Sequence, residues 1–117
     1  MHRRTINAIL PFLLLGVGEV MAHAYLDHAS PLVGSTVATA PSEVTLWFTQ
    51  KLEASFSTMS VTNASGQRVD SGRVTVSGNT MRVSIRGTSA GTYRVTWRVL
   101  SVDTHTTQGN FTFHVGR

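Results

Sequence analysis

The chain has 117 residues, 41% of them hydrophobic, no cysteine and a formal charge of +4. Lack of cysteine excludes disulfides and thiolate metal sites, and arginines scattered along the chain exclude the concentrated basic stripe of a nucleic-acid binder. The length allows one domain with one modest core.

The chain opens with Met1-His2-Arg3-Arg4, a positive start, followed by an apolar run over residues 6–17 that only Asn7, Pro11 and Gly16 interrupt. Val20-Met21-Ala22 then has the small-residue spacing of a signal-peptidase site. The pattern predicts a cleaved secretory signal over residues 1–22. Its apolar run is shorter than the roughly 20 residues a membrane-spanning helix needs, so the exported chain is expected to keep no membrane insertion. Cleavage leaves 117 less 22, or 95, residues as one domain over residues 23–117. Loss of Arg3, Arg4 and Glu19 takes the formal charge from +4 to +3.

Cleavage after Ala22 also makes His23 the first residue, with a free α-amine beside its imidazole. The amine and Nδ1 of one histidine close a six-membered ring on a metal, and such nitrogen donors suit the tetragonal preference of Cu(II).

Beyond His23 the apolar residues alternate with polar ones at the period of a β-strand, with no helical stripe. An opening strand is expected near residues 24–29. Val44, Leu46 and Phe48 alternate with Thr45, Trp47 and Thr49 after Pro41, and Met59 and Val61 follow before a turn at Asn63-Ala64-Ser65-Gly66. Val74 and Val76 lead into a hairpin connection at Ser77-Gly78-Asn79, from which Met81, Val83 and Ile85 return. Tyr93, Val95, Trp97 and Val99 form the clearest strand, and Phe111, Phe113 and Val115 the last. About seven strands at this spacing predict an all-β, immunoglobulin-like antiparallel sandwich; a small barrel is the alternative. Met81 and both tryptophans are assigned to packing, and His28 and His114 to the surface.

Asp103 and His105 fall in the connection between the last two strands. In extended backbone an Asp-x-His spacing puts both side chains on one side, about 7 Å apart along the strand, and a bend brings them closer. Asp103 otherwise serves as a turn residue and His105 as a solvated histidine. If the loop lies beside the chain's start, an amine, two imidazoles and a carboxylate converge.

From His23 onward the chain resembles the CopC-like periplasmic copper-binding proteins of copper resistance. Four ordered motifs carry the resemblance: His23-Ala24-x-Leu26 with Ser30-Pro31-x-x-Gly34-Ser35; Ala40-Pro41-x-x-Val44-x-Leu46-x-Phe48; Ala90-Gly91-Thr92-Tyr93-x-Val95-x-Trp97-Arg98-Val99-x-Ser101-x-Asp103-x-His105; and Gly109-x-Phe111-x-Phe113-x-Val115. The resemblance implies a cupredoxin-like or immunoglobulin-like β-sandwich with one Cu(II) per chain in a histidine-brace-like site, with His23, Asp103 and His105 as ligands. It also implies a periplasmic location and a separate inner-membrane copper transport protein as partner.

Three departures from the family pattern stand out. The region over residues 53–62 holds only Met59 where some relatives carry a methionine-rich Cu(I) loop, Gln50 stands where an acidic residue is frequent, and Thr106 stands where proline often follows the site histidine. The expected role is a non-enzymatic copper carrier or buffer. A histidine-brace oxidative enzyme and a metal-free interaction module are the alternatives, and fold alone does not choose among them.

Overall fold

The computed structural model describes residues 24–116. Eight strands follow in order: β1 (Leu26–Ser30), β2 (Thr36–Val37), β3 (Glu43–Phe48), β4 (Thr58–Thr62), β5 (Asp70–Ser77), β6 (Thr80–Ile85), β7 (Gly91–Leu100) and β8 (Thr106–Val115). They form two four-stranded sheets, ordered β1-β3-β6-β5 and β2-β8-β7-β4. The chain is therefore the expected all-β sandwich, and the barrel alternative is set aside. One strand more than the expected seven is present, because Thr36–Val37 pairs with His114 and Val115 at the edge of the second sheet. That short pairing is parallel, so the second sheet is mixed rather than wholly antiparallel.

The alternation read in the sequence becomes the inner faces of the sandwich. On β7, Tyr93, Val95, Trp97 and Val99 are buried while Thr92, Arg94, Thr96 and Arg98 are exposed. Val44, Leu46 and Phe48 of β3, Met81, Val83 and Ile85 of β6, and Phe111, Phe113 and Val115 of β8 complete the core. Each large apolar side chain buried here contributes about 1.5–3 kcal/mol. Trp97 packs edge-on to Phe48 with ring centroids 5.2 Å apart. Its indole also lies so close to β8 that a Cβ on Gly109 would come within 2.6 Å of Cζ2. Glycine is required at residue 109 for this approach. Tyr93 closes the start of β7 by donating its hydroxyl to the Ser89 carbonyl at 2.5 Å, the kind of corner that sandwiches of this type use.

The free edge of β4 is covered by the crossover to β5. Val69 N–H donates to the Val61 carbonyl at 2.9 Å, and the Asp70 carboxylate accepts the Val61 N–H at 2.7 Å. Asp70 also takes both arms of Arg68, at 2.7 and 3.1 Å, and the Gly72 N–H at 2.9 Å. Its side chain is fully enclosed. Burial alone would raise the Asp70 pKa, but the hydrogen bonds from Arg68, Val61 and Gly72 outweigh it and hold the carboxyl below its ordinary value.

Two outcomes follow from this packing. Gly109→Ala should destabilise the domain by about 1–3 kcal/mol through overpacking against Trp97, read as a lower urea midpoint. Asp70→Asn should cost about 1–3 kcal/mol at neutral pH. Because the folded pKa is depressed, the Asp70 contribution is present above the unfolded value of about 3.9 and is lost as pH falls through the lower folded value. Urea midpoints of the two proteins, measured from pH 6 downward, should converge in acid.

Candidate metal centre

Loops from both sheets gather at one end of the sandwich. The β5–β6 turn is there, with Gly78 at φ +62 as the first central residue of a two-residue hairpin. So is the loop of residues 101–105 that joins β7 to β8. A strip of main chain after β3 binds the two together. Phe48 N–H donates to Asn79 O, Leu52 N–H to Gly78 O, and Val102 N–H to Lys51 O, at 2.9, 3.0 and 3.0 Å. Leu52 also bridges to Ser101.

The chain's beginning reaches the same place. Thr49 N–H donates to Tyr25 O at 2.9 Å, and Tyr25 N–H donates to Thr49 Oγ1 at 2.9 Å. Ala24 is wholly buried, and its carbonyl accepts the Thr107 hydroxyl at 2.5 Å. Thr107 stands two residues beyond His105. His23, the first of the expected ligands, lies outside the described residues.

Asp103 and His105 are both displayed to solvent, and Nδ1 of His105 lies 3.4 Å from Oδ1 of Asp103. They are brought together by a turn, the bend that the Asp-x-His spacing allowed for, rather than by extended backbone. Thr104 adopts φ +74, a left-handed conformation that a β-branched residue rarely takes, and its N–H donates to Ser101 O at 2.9 Å. Closing the loop, Ser101 N–H donates to His105 O at 2.9 Å.

Ser101 is the residue that motif reading left without a role. It is fully buried, its hydroxyl donates to Asp103 Oδ1, and its oxygen sits 3.4 Å from the His105 N–H. The Ser101 hydroxyl holds the Asp103 pKa below the ordinary carboxylate value; His105 acts in the same sense and desolvation opposes. The loop thus presents an ionised oxygen donor beside an imidazole. The sequence signal was a serine two residues before the aspartate, a spacing that favours short side-chain hydrogen bonds.

Among the described residues no group of three or more histidine, cysteine, aspartate or glutamate side chains converges on one point. Asp103 and His105 are the two expected ligands that the described residues bring together. Gln50 lies at the same end and lines a hollow of about 430 Å³ with Thr49, Lys51, Asn79 and Val102. His28 lies on the edge strand β1, where its ring stacks on Trp47 with centroids 4.3 Å apart and its Nδ1 is 2.7 Å from Asp27. His114 meets the Thr92 hydroxyl at 2.9 Å on the outer face of the second sheet. Met59 and Met81 are core residues, 3% and 0% exposed.

Fold and loop define an all-β sandwich that displays a carboxylate and an imidazole together from one end. The chain belongs to the CopC family, whose domain pattern, described as "CopC domain", matches residues 26–116. It is similar to Protein YobA of Escherichia coli strain K12, with 33% identity over 101 residues that cover 83% of this chain and 82% of that protein. CopC from Methylosinus trichosporium OB3b superimposes with a TM-score of 0.71 at 30% identity, covering 80% of this chain and 94% of that one. PcoC, a methionine-rich copper resistance protein from Escherichia coli, gives 0.70 at 35% identity, covering 80% and 98%.

Replacing Ser101 tests the local chemistry without any metal. In Ser101→Ala the Asp103 carboxyl should titrate at a higher pH, nearer the ordinary value of about 3.9. Carbon-13 NMR of the carboxyl group against pH reads it directly.

Proposed function

We propose that residues 23–117, freed of a leader over residues 1–22, form a periplasmic carrier or buffer for one Cu(II) in copper resistance. The ligands are the α-amine and imidazole of His23, the imidazole of His105 and the carboxylate of Asp103. The proposal rests on one contact above all. The Thr107 hydroxyl holds the carbonyl of Ala24, so the residue next to His23 and the residue two beyond His105 are hydrogen-bonded neighbours.

The chemistry of the donors agrees with this. Nitrogen and carboxylate donors favour Cu(II), while thioether ligands favour Cu(I), and both methionines of the described chain are spent on packing. Family membership supports copper as the cargo, since PcoC is described as a copper resistance protein. A carboxylate occupying one position leaves the ion more fully coordinated than oxygen chemistry requires, which favours carriage over catalysis. No described helix is long and apolar enough to cross a membrane, and delivery is assigned to a separate inner-membrane copper transport protein. Binding needs a deprotonated amine and neutral imidazoles, so affinity should fall as pH drops below about 7.

Competitive Cu(II) titration of side-chain variants tests the loop half of the site. His105→Ala and Asp103→Asn should each weaken binding by more than the roughly 10–100-fold typical of losing a supporting partner. Ser101→Ala should fall within that range. Both ligand positions are exposed, so stability should shift by no more than about 0.5 kcal/mol. Unchanged affinity in His105→Ala would remove the loop from the site.

A further inference from the structure

The opposite end of the first sheet carries a second concentration of chemistry. β5 and β6 pair Val74 with Val83 and Asp70 with Ile85, so three residues of β5, Ser71, Gly72 and Arg73, span the place of Ser84 alone. Gly72 takes φ +78 to make this bulge, and Asp70 fixes its base by accepting the Gly72 N–H. Bulges of this kind re-aim side chains and recur beside functional sites. Here the bulge sets Arg73 over a cleft of about 440 Å³ lined by Ser71, Arg73, Ser84, Ile85 and Arg86.

We propose that this cleft binds a tetrahedral oxyanion of the phosphate class. Two guanidinium groups, Arg73 and Arg86, border one hollow, and planar forks of N–H donors match the oxygens of phosphate. No ion pair among the described residues engages either of them. Ser71 and Ser84 line the same hollow; Ser71 Oγ already accepts the Arg73 N–H at 3.2 Å and keeps its own proton to give. Two carboxylates lie nearby. Asp70 is enclosed and committed to Arg68. Glu43 lies across the strand pair from Ser84, where a 3.5 Å contact with the Thr45 hydroxyl leaves its negative charge in place, so the two guanidinium groups must outweigh one carboxylate. Ile85 is buried and gives the cleft one apolar lining residue. The cleft lies at the end of β6 away from Thr80 and the β5–β6 turn, hence away from the Asp103–His105 loop. An anion bound there leaves the metal centre open.

The test uses the exported protein labelled with nitrogen-15, with inorganic phosphate as the probe at ionic strength matched by chloride. Phosphate should shift the side-chain Nε–H signals of Arg73 and Arg86 saturably, and those of Arg82 and Arg98 little. Arg73→Gln with Arg86→Gln should weaken binding at least about tenfold, and the control pair Arg82→Gln with Arg98→Gln, equal in charge, by less than about twofold. A flotation assay with vesicles of phosphatidylcholine alone, or mixed with phosphatidylglycerol, distinguishes the source of the phosphate. Binding to the mixed vesicles that free phosphate competes away, and that Arg73→Gln with Arg86→Gln abolishes, assigns the site to a lipid headgroup. Phosphate binding without vesicle binding assigns it to a soluble ion. Equal shifts at all four arginines, equal weakening by the two double variants, or no saturable shift at all would overturn the proposal.

Discussion

The structure depends on a seam of main-chain hydrogen bonds along residues 48–53. Phe48 and Leu52 tie this strip to the β5–β6 turn, Thr49 ties it to Tyr25, and Lys51 and Glu53 tie it to the end of β7 and the loop that follows. Backbone bonds of this kind contribute modestly one by one, since each replaces bonds to water. Their value here is positional. They fasten the first sheet, the second sheet and the beginning of the chain at one end, and they do so with groups that no side-chain change removes. Leu52, 7% exposed, plugs the seam with an apolar side chain and keeps water from competing for its bonds.

On that rigid end the local chemistry is set by a small number of polar side chains. Ser101 is buried under the loop, where its one hydroxyl donates to Asp103 while the same oxygen accepts from the His105 N–H. Thr104 bears the unfavourable left-handed backbone that lets aspartate and histidine face the same space. On the proposed function, a pair of side chains held in this way needs little further ordering when the ion arrives.

Much of this was legible in the residues. Strand periodicity located the core positions of β3, β6, β7 and β8: β6, β7 and β8 each bury one face, which fixes a period of two, and β3 buries Thr45 on its other face as well. The Gly78 hairpin followed from turn chemistry. Thr36–Val37 was not legible: two residues carry no period, and the strand exists because Gly34 N–H, Ser35 O and Val37 O meet the backbone of β8 and its extension. The turn at Thr104 was equally hidden. A threonine gives no hint of positive φ, and the conformation is imposed by the bonds that Ser101 makes on either side of it. The bulge at Gly72 arises from Asp70 reaching both its own loop and the edge of β4, a contact between sheets that no local pattern encodes. For the candidate site, motif order supplied Asp103 and His105, whereas Ser101 emerged only from its burial. Ala24 connects to Thr107 across 83 residues, a separation at which the sequence carries motif order but no geometry.

The central claim is that the processed amine of His23 joins the loop of Asp103 and His105 around one Cu(II). The most direct test is Cu(II) titration with paramagnetic resonance on the protein that begins at His23, compared with one carrying a single extra residue ahead of it. The extension converts the amine to an amide and leaves every side chain in place. Loss of tight binding and of the nitrogen-rich spectrum in the extended protein is the result predicted. Equal affinity and identical spectra in the two proteins would contradict it.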